Sequence, residues 1–328
     1  MIQVHGLTKD YGLRRAIHDL TFNANKSEIL GFLGPNGAGK TTTMRILTGY
    51  LPPTTGKVTI NGLDLMEQSL EVRRIIGYLP ETVPLYPEMS VYDFLKYMAD
   101  LRHVQQPAKR IMEVLEMVHM GDRKSGSVGK LSKGMRQRLG LAQALVHDPK
   151  VLILDEPTIG LDPAQITEVR SLIQQLGKER TILLSTHILS EAQQICDRVL
   201  IINKGHIVAE DTPERLQSRL SGVQRVMVKA RGETEDIASV IAATPGVTLV
   251  LPHSNGELEF ETSLGEDVRA QVAKSIINAG YDLLDFHAVN LSLEEIFLQL
   301  IREEDASPSE EDDSLSSPHN RREGVKYA

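Results

Sequence analysis

At 328 residues, 41% of them hydrophobic, the chain is long enough for two domains and apolar enough to bury a full core. One cysteine, Cys196, excludes an internal disulfide and a cysteine-built metal cluster, and the absence of tryptophan leaves no evident stacking platform for single-stranded nucleic acid. Residues 302–328 hold eight acids against four Lys or Arg, so half of the net charge of −8 sits there and the near-neutral body argues against a broad nucleic-acid surface. In chain order, residues 2–8 and 17–23 alternate like strands around a turn at Tyr11-Gly12. Residues 29–33 form an apolar run that reads as a buried strand, followed by a glycine-rich loop and a helix over 43–47. Residues 57–60 and 75–79 read as further strands.

From 83 to 130 the pattern turns helical. Ser90, with Asp93 three residues on, predicts an N-cap, and Pro107 predicts the first turn of a second helix. Ile111, Val114, Leu115 and Val118 recur at helical spacing. Strand 151–154, helix 164–176, strand 181–184 and a hairpin around Asn203-Lys204-Gly205 complete residues 1–220. The alternation implies a largely parallel sheet covered on both faces. Residues 221–301 then read β-α-β-β-α-β with a last helix over 292–300, which predicts a small ferredoxin-like α+β domain. The Ser-, Pro- and acid-rich residues 302–328 read as a disordered tail.

The loop after strand 29–33 carries the chemistry. Gly34-Pro35-Asn36-Gly37-Ala38-Gly39-Lys40-Thr41-Thr42 fits G-x-x-x-x-G-K-T in the strand–loop–helix setting that makes the pattern a phosphate site. Glycines let the backbone bring N–H groups close to an anion, and the helix N-terminus adds partial positive charge. Lys40 is placed on the β- and γ-phosphates and the Thr41 hydroxyl on Mg²⁺. A second signal is Asp155-Glu156 at the end of strand 151–154, where open α/β sheets bind ligands. Asp155 is suited to holding Mg²⁺ through water, and Glu156 to taking a proton from an attacking water or orienting it.

With these motifs, residues 1–220 resemble the nucleotide-binding subunit of an ABC transporter. Leu131-Ser132-Lys133-Gly134-Met135 matches the family's linker peptide, Gly160-Leu161-Asp162 its D-loop, His187 its switch histidine and Tyr11 the aromatic residue that stacks on adenine. The resemblance implies an α/β P-loop NTPase cassette with a helical subdomain over about 83–130. It implies ATP and Mg²⁺, a second ATPase subunit (another copy or a paralogue) and a separate transmembrane permease. It assigns Ser132 and Gly134 to the γ-phosphate held by the other subunit. It assigns His187 to the γ-phosphate and the water. No leader and no apolar run of bilayer-spanning length appears, so the expected place is the cytoplasmic face of the membrane, reached through the permease.

Two departures stand out. Lys133 and Met135 occupy positions where the family usually has Gly and Gln. Glu81 stands where the family usually has the Gln that contacts Mg²⁺ and senses the permease. Two assignments of Glu81 stay open: a ligand of Mg²⁺, or a residue of the coupling groove that does not touch metal. Tyr78-Leu79-Pro80-Glu81 and Leu293-Glu294-Glu295-Ile296-Phe297 resemble ATPases of the gliding-motility, nitrous-oxide-reductase maturation and antibiotic-export transporters. That subgroup favours export or membrane remodelling over nutrient import. The competing expectation is a soluble ABC ATPase for translation or DNA repair. One P-loop, one linker peptide and no heptad array argue against it.

Overall fold

A computed structural model describes residues 1–220, 223–253, 256–263 and 268–289. In chain order the first part contains β1 (Ile2–Tyr11), β2 (Arg14–Ala24), β3 (Ile29–Leu33), α1 (Lys40–Leu47), β4 (Thr55–Ile60), β5 (Leu63–Asp64), α2 (Ser69–Ile75) and β6 (Ile76–Leu79). Next come α3 (Val91–Leu101), α4 (Pro107–Met117), α5 (Lys133–Leu145), β7 (Val151–Asp155), α6 (Pro163–Gly177), β8 (Thr181–Thr186), α7 (Leu189–Ile195), β9 (Arg198–Asn203), β10 (His206–Asp211) and α8 (Pro213–Leu220).

The central sheet has the order β10-β9-β3-β8-β7-β6, parallel throughout except for the β9–β10 hairpin. Every residue of β3, β7 and β8 is buried. This is why these strands read as unbroken apolar runs and not as alternating ones. The two-residue period divides them between two cores. Leu33, Leu152, Leu154 and Leu184 pack with Phe94, Leu115 and Leu145 of the helices, while Phe32, Ile153 and Leu183 pack on the other side with Met44 of α1 and Val4 and Leu20 of the β1–β2 pair.

That second face differs from the expectation of one sheet flanked by helices. The early strands form a separate antiparallel sheet, β2-β1-β4-β5, which with α1 covers it. Parallel pairing sets the strand ends in line: Leu33 of β3 is opposite Thr186 of β8, and Asp155 of β7 is opposite Ser185.

Between β6 and β7 lie the helices. The Ser90 hydroxyl accepts from the Asp93 N–H at 3.1 Å and caps α3, Pro107 opens α4, and Ile111, Val114 and Leu115 are fully buried. The β9–β10 hairpin turns at Lys204 (φ 45°) and Gly205 (φ 85°), the left-handed pair a two-residue turn requires. Helix α2 was not expected; only Val72 of its seven residues is buried, too thin a signal for an apolar stripe.

The second part comprises β11 (Val223–Arg231), α9 (Thr234–Ala242), β12 (Val247–Pro252), β13 (Leu258–Ser263), α10 (Arg269–Asn278) and β14 (Asp282–Val289). Its antiparallel sheet has the order β12-β13-β11-β14, the ferredoxin-like arrangement. Val226, Val228, Phe260, Ile237, Ile241, Val272 and Ile276 give it a core of its own. The expected helix over 292–300, the motif over 293–297 and the tail over 302–328 lie outside the described residues.

Candidate functional site

The loop between β3 and α1 is fixed by close approach. A Cβ at Gly34 would lie 2.3 Å from the Ile202 carbonyl oxygen, and Gly39 combines φ 108° with an approach of 2.9 Å to the Ala16 carbonyl oxygen. Both positions therefore require glycine. Gly39 is also the N-cap of α1, and no side chain caps the helix. The first-turn N–H groups thus stand at a helix start without a side-chain acceptor. Lys40 is 6% exposed, and its ammonium folds back to donate to the carbonyls of Gly34 (2.7 Å) and Pro35 (3.2 Å). Burial pushes the Lys40 ammonium below its ordinary pKa, against the opposing pull of Glu156, Asp155 and Glu81.

The end of β7 supplies the acids. Asp155 is fully buried; one carboxylate oxygen accepts from the Ser185 hydroxyl at 2.5 Å and from the Thr41 hydroxyl at 3.4 Å. Its other oxygen, Oδ2, is buried with no hydrogen-bond partner. Such an oxygen is costly to leave unpaired and is the kind of hard donor a small divalent cation takes. Glu156 then leaves the strand through φ 50°, the left-handed region, which costs a non-glycine residue about 1–3 kcal/mol. Its backbone is held on both sides: its N–H donates to the Ser185 hydroxyl at 3.0 Å, and its carbonyl accepts from the Gln137 side chain at 3.4 Å. The carboxylate reaches two cationic or titratable partners, His187 Nδ1 at 2.8 Å and Lys40 Nζ at 3.8 Å. Burial raises the Glu156 pKa, with His187 and Lys40 opposing and Asp155 adding to the rise.

Tyr11, Asn36, Gly37, Gly39, Lys40, Thr41, Thr42, Glu81, Glu156 and His187 line one cleft of ≈ 620 Å³, within the usual range for a small-molecule site. Gly34, Pro35, Ala38 and Asp155 belong to the loop and strand end behind it and are not among its lining residues. Glu81 is exposed and lines this cleft together with Thr41, while Asp155, the other expected metal ligand, does not line it. Lys9 Nζ lies 5.4 Å from the centroid of the half-exposed Tyr11 ring.

Ser132 and Gly134 are not brought to the cleft. Ser132 is exposed at the N-cap of α5, where its hydroxyl accepts from the Met135 N–H at 3.2 Å. Gly134 is buried, and a Cβ there would lie 2.2 Å from Gln165 Oε1 of α6. Arg14, Ala16 and Ile159 also line the cleft, and Ser185 and Gln137 hold Asp155 and Glu156 from behind; the first four were not anticipated, and Gln137 only as part of the linker-peptide match, with no role at this site. For Ser185 a signal existed, a serine directly after the apolar residues Ile182, Leu183 and Leu184.

The sequence model of the ABC transporter family matches residues 17–159. The bacitracin transport ATP-binding protein BcrA of Bacillus licheniformis is 37% identical over 304 residues, covering 92% of this chain and 97% of that protein. The chain belongs to the ABC transporter ATP-binding family. This ABC cassette is also 31% identical to the linearmycin resistance ATP-binding protein LnrL of Bacillus subtilis, over 92% of this chain and 98% of that one. In fold the cassette is similar to a dimeric ATP-binding cassette in a post-hydrolysis state bound to ADP and Pi, with a TM-score of 0.61 at 23% identity, covering 65% of this chain and 98% of that one. The ABC cassette is an ATPase and ATP is its nucleotide.

Proposed function

We propose that the chain drives a separate membrane permease, as the ATP-hydrolysing subunit of an exporter that works through an ATP-bridged dimer. Among the described residues no helix is long and apolar enough to cross a membrane, so transport in this reading requires another polypeptide. The names of the relatives, bacitracin transport and linearmycin resistance, favour outward movement of a drug-like molecule.

In this reading the cleft holds one nucleotide. The loop from Gly34 to Thr42 and the N-terminus of α1 take the phosphates, with Lys40 on the β- and γ-phosphates. A bound anion would restore the charge that burial disfavours on Lys40. Tyr11 stacks on the adenine. Thr41 and Asp155 are the residues that would hold Mg²⁺, and the unpaired Asp155 Oδ2 fits that task. Bound there, the ion supplies charge neutralisation on the phosphate oxygens. Glu156 takes a proton from the attacking water, and His187 orients the water and the γ-phosphate.

A single observation carries the dimer. Lys40, Glu156 and His187 converge on one cleft while Ser132 stands exposed outside it at a helix start. A serine at a helix start that stands outside its own chain's cleft suits the nucleotide of a second subunit. ATP between two chains then stabilises the dimer by mass action until hydrolysis removes it.

The test is light scattering after gel filtration of the full chain with Mg²⁺ and ATP. Glu156→Gln is expected to accumulate as a dimer, and to lose it when Ser132→Arg is added. A Glu156→Gln protein that binds ATP yet stays monomeric at every concentration overturns the proposal.

A further inference from the structure

Outside the cleft the least expected charged group is Glu191, on the first turn of α7. It is 2% exposed and does not line the cleft. A buried carboxylate is costly unless paired and hydrogen-bonded. Its pairing comes from α6: Arg170 Nη2 lies 3.3 Å from Glu191 Oε1, and Arg170 Nη1 donates to Gln194 Oε1 at 2.8 Å. The other oxygen, Oε2, accepts two hydroxyl groups, Thr158 at 2.7 Å and Thr186 at 3.4 Å.

The positions of these two threonines give the carboxylate its meaning. Thr158 follows Glu156 by two residues across Pro157, and Thr186 immediately precedes His187. Both are buried, at 3% and 0% exposure. Other bonds join the two strand ends: the Glu156 N–H donates to the Ser185 hydroxyl at 3.0 Å and to the Ser185 carbonyl at 3.2 Å. Past Glu156 and at Thr186 the bonds are local. The Ile159 N–H closes a turn on the Glu156 carbonyl at 3.2 Å, and the Ile188 N–H donates to the Thr186 hydroxyl at 3.0 Å. These local bonds shape each turn but do not set one turn against the other. Among the described residues, only the shared Oε2 accepts from both Thr158 and Thr186.

We infer that Glu191 is a positioning residue: one of its carboxylate oxygens ties the turn after Glu156 to the turn before His187 and so holds that pair at 2.8 Å. This rests on Glu156 and His187 acting in hydrolysis as proposed above. An ionised acceptor binds hydroxyl groups more strongly than a neutral one, which is a reason to keep a charge in this buried place. Arg170 offsets the cost of that charge from the side of the other oxygen, Oε1.

The test uses the full chain with Mg²⁺ and ATP. Thr158→Val, Thr186→Val and the double variant keep side-chain size and remove the hydroxyl groups; Thr158→Ser and Thr186→Ser restore them. Glu191→Gln keeps the size of the side chain and removes its charge. Glu156→Gln is run in parallel. The double valine variant and Glu191→Gln are expected to lose kcat by about 10²-fold, the cost of misplacing a reacting group by about 1 Å, with the ATP KM within about threefold. The serine variants recover kcat. The split between kcat and KM, and the recovery by serine, separate positioning from plain stability. Unchanged kcat in the double valine variant overturns the inference. So does a loss of kcat that the serine variants do not recover. If Glu156→Gln keeps full turnover, the functional reading fails and takes this inference with it. If Glu156→Gln is inactive while the threonine variants are normal, only this inference fails.

Discussion

His187 Nδ1 lies 2.8 Å from Glu156 Oε2, and the two residues come from the ends of adjacent parallel strands, β8 and β7. An ionised carboxylate only accepts, so in this contact the Nδ1–H donates to Glu156 Oε2. The pair sets a pH dependence. Burial raises the Glu156 pKa and His187 works against that rise. In its proposed role as general base Glu156 must be deprotonated, so turnover is expected to be lost on acidification at a pH above that of an ordinary glutamate. Replacing His187 with alanine removes the opposing effect. The kcat–pH profile of that variant is expected to show lower activity and an acid limb shifted upward. An acid limb at the same pH in both proteins would show that the contact has no influence on the carboxylate.

Glu156→Gln removes the proposed proton acceptor while keeping the shape of the side chain. The expected loss in kcat is about 10²–10⁴-fold, the usual contribution of a positioned general base. Equilibrium binding of ATP should persist, because Lys40 and the helix start are untouched. Normal turnover in this variant excludes Glu156 from the chemistry.

Ser132→Arg probes the exposed N-cap of α5. An arginine there loses the cap to the Met135 N–H, which costs about 1 kcal/mol, and puts a large side chain where a second subunit's nucleotide would sit. Hydrolysis should be abolished while ATP binding to the monomer is unchanged, because Ser132 lines no part of its own chain's cleft. Loss of monomer binding together with hydrolysis would assign Ser132 a role within its own chain instead.

What could be read from the sequence follows the range of each interaction. The P-loop, β3 and β7 announce themselves through local composition: glycines at forced backbone positions and apolar runs buried on both faces. The Ser90 cap, Pro107 and the Lys204-Gly205 turn are equally local. The separate β2-β1-β4-β5 sheet was not legible, since pairing Ile2 with Ile60 depends on a partner 58 positions away. Ser185 and Glu191 were missed for the same reason. Ser185 matters only because β8 is in register with β7, and Glu191 only because α7 carries it beneath two turns. The separation of Ser132 from the cleft is likewise a property of tertiary packing.

Glu81 is the acidic departure in the site. It is exposed, faces the cleft, and its charge acts on Lys40. In Glu81→Gln, the ATP affinity should stay within roughly fivefold, the ~1 kcal/mol of a solvent-screened unit charge at about 4 Å. The Mg²⁺ concentration for half-maximal turnover should rise if the carboxylate helps to hold the ion. With permease present, a change in coupling at unaltered Mg²⁺ dependence would instead place Glu81 in the coupling groove. If neither quantity moves, the substitution is neutral.

His147 offers a stability prediction away from the nucleotide. Just after α5, it makes a 2.8 Å contact from Nε2 to the Ile76 carbonyl of β6, and its Nδ1 is buried without a hydrogen-bond partner. Burial first, then the charges of Arg102 and Arg110, push its pKa down to about 4. The unfolded chain therefore takes up the proton first as pH falls from about 6.5. Stability from this site is complete above that pH and drains away between about 6.5 and 4. At pH 5 the loss amounts to about 2 kcal/mol. Glutamine at 147 has an amide N–H₂ for the Ile76 carbonyl and does not titrate. Urea unfolding of wild type and His147→Gln at pH 7.5 and pH 5 isolates the effect, because the other titrating groups are common to both proteins. Wild type should lose about 2 kcal/mol more than the variant on acidification. Equal losses would mean that the imidazole is protonated in the folded chain as readily as in the unfolded one.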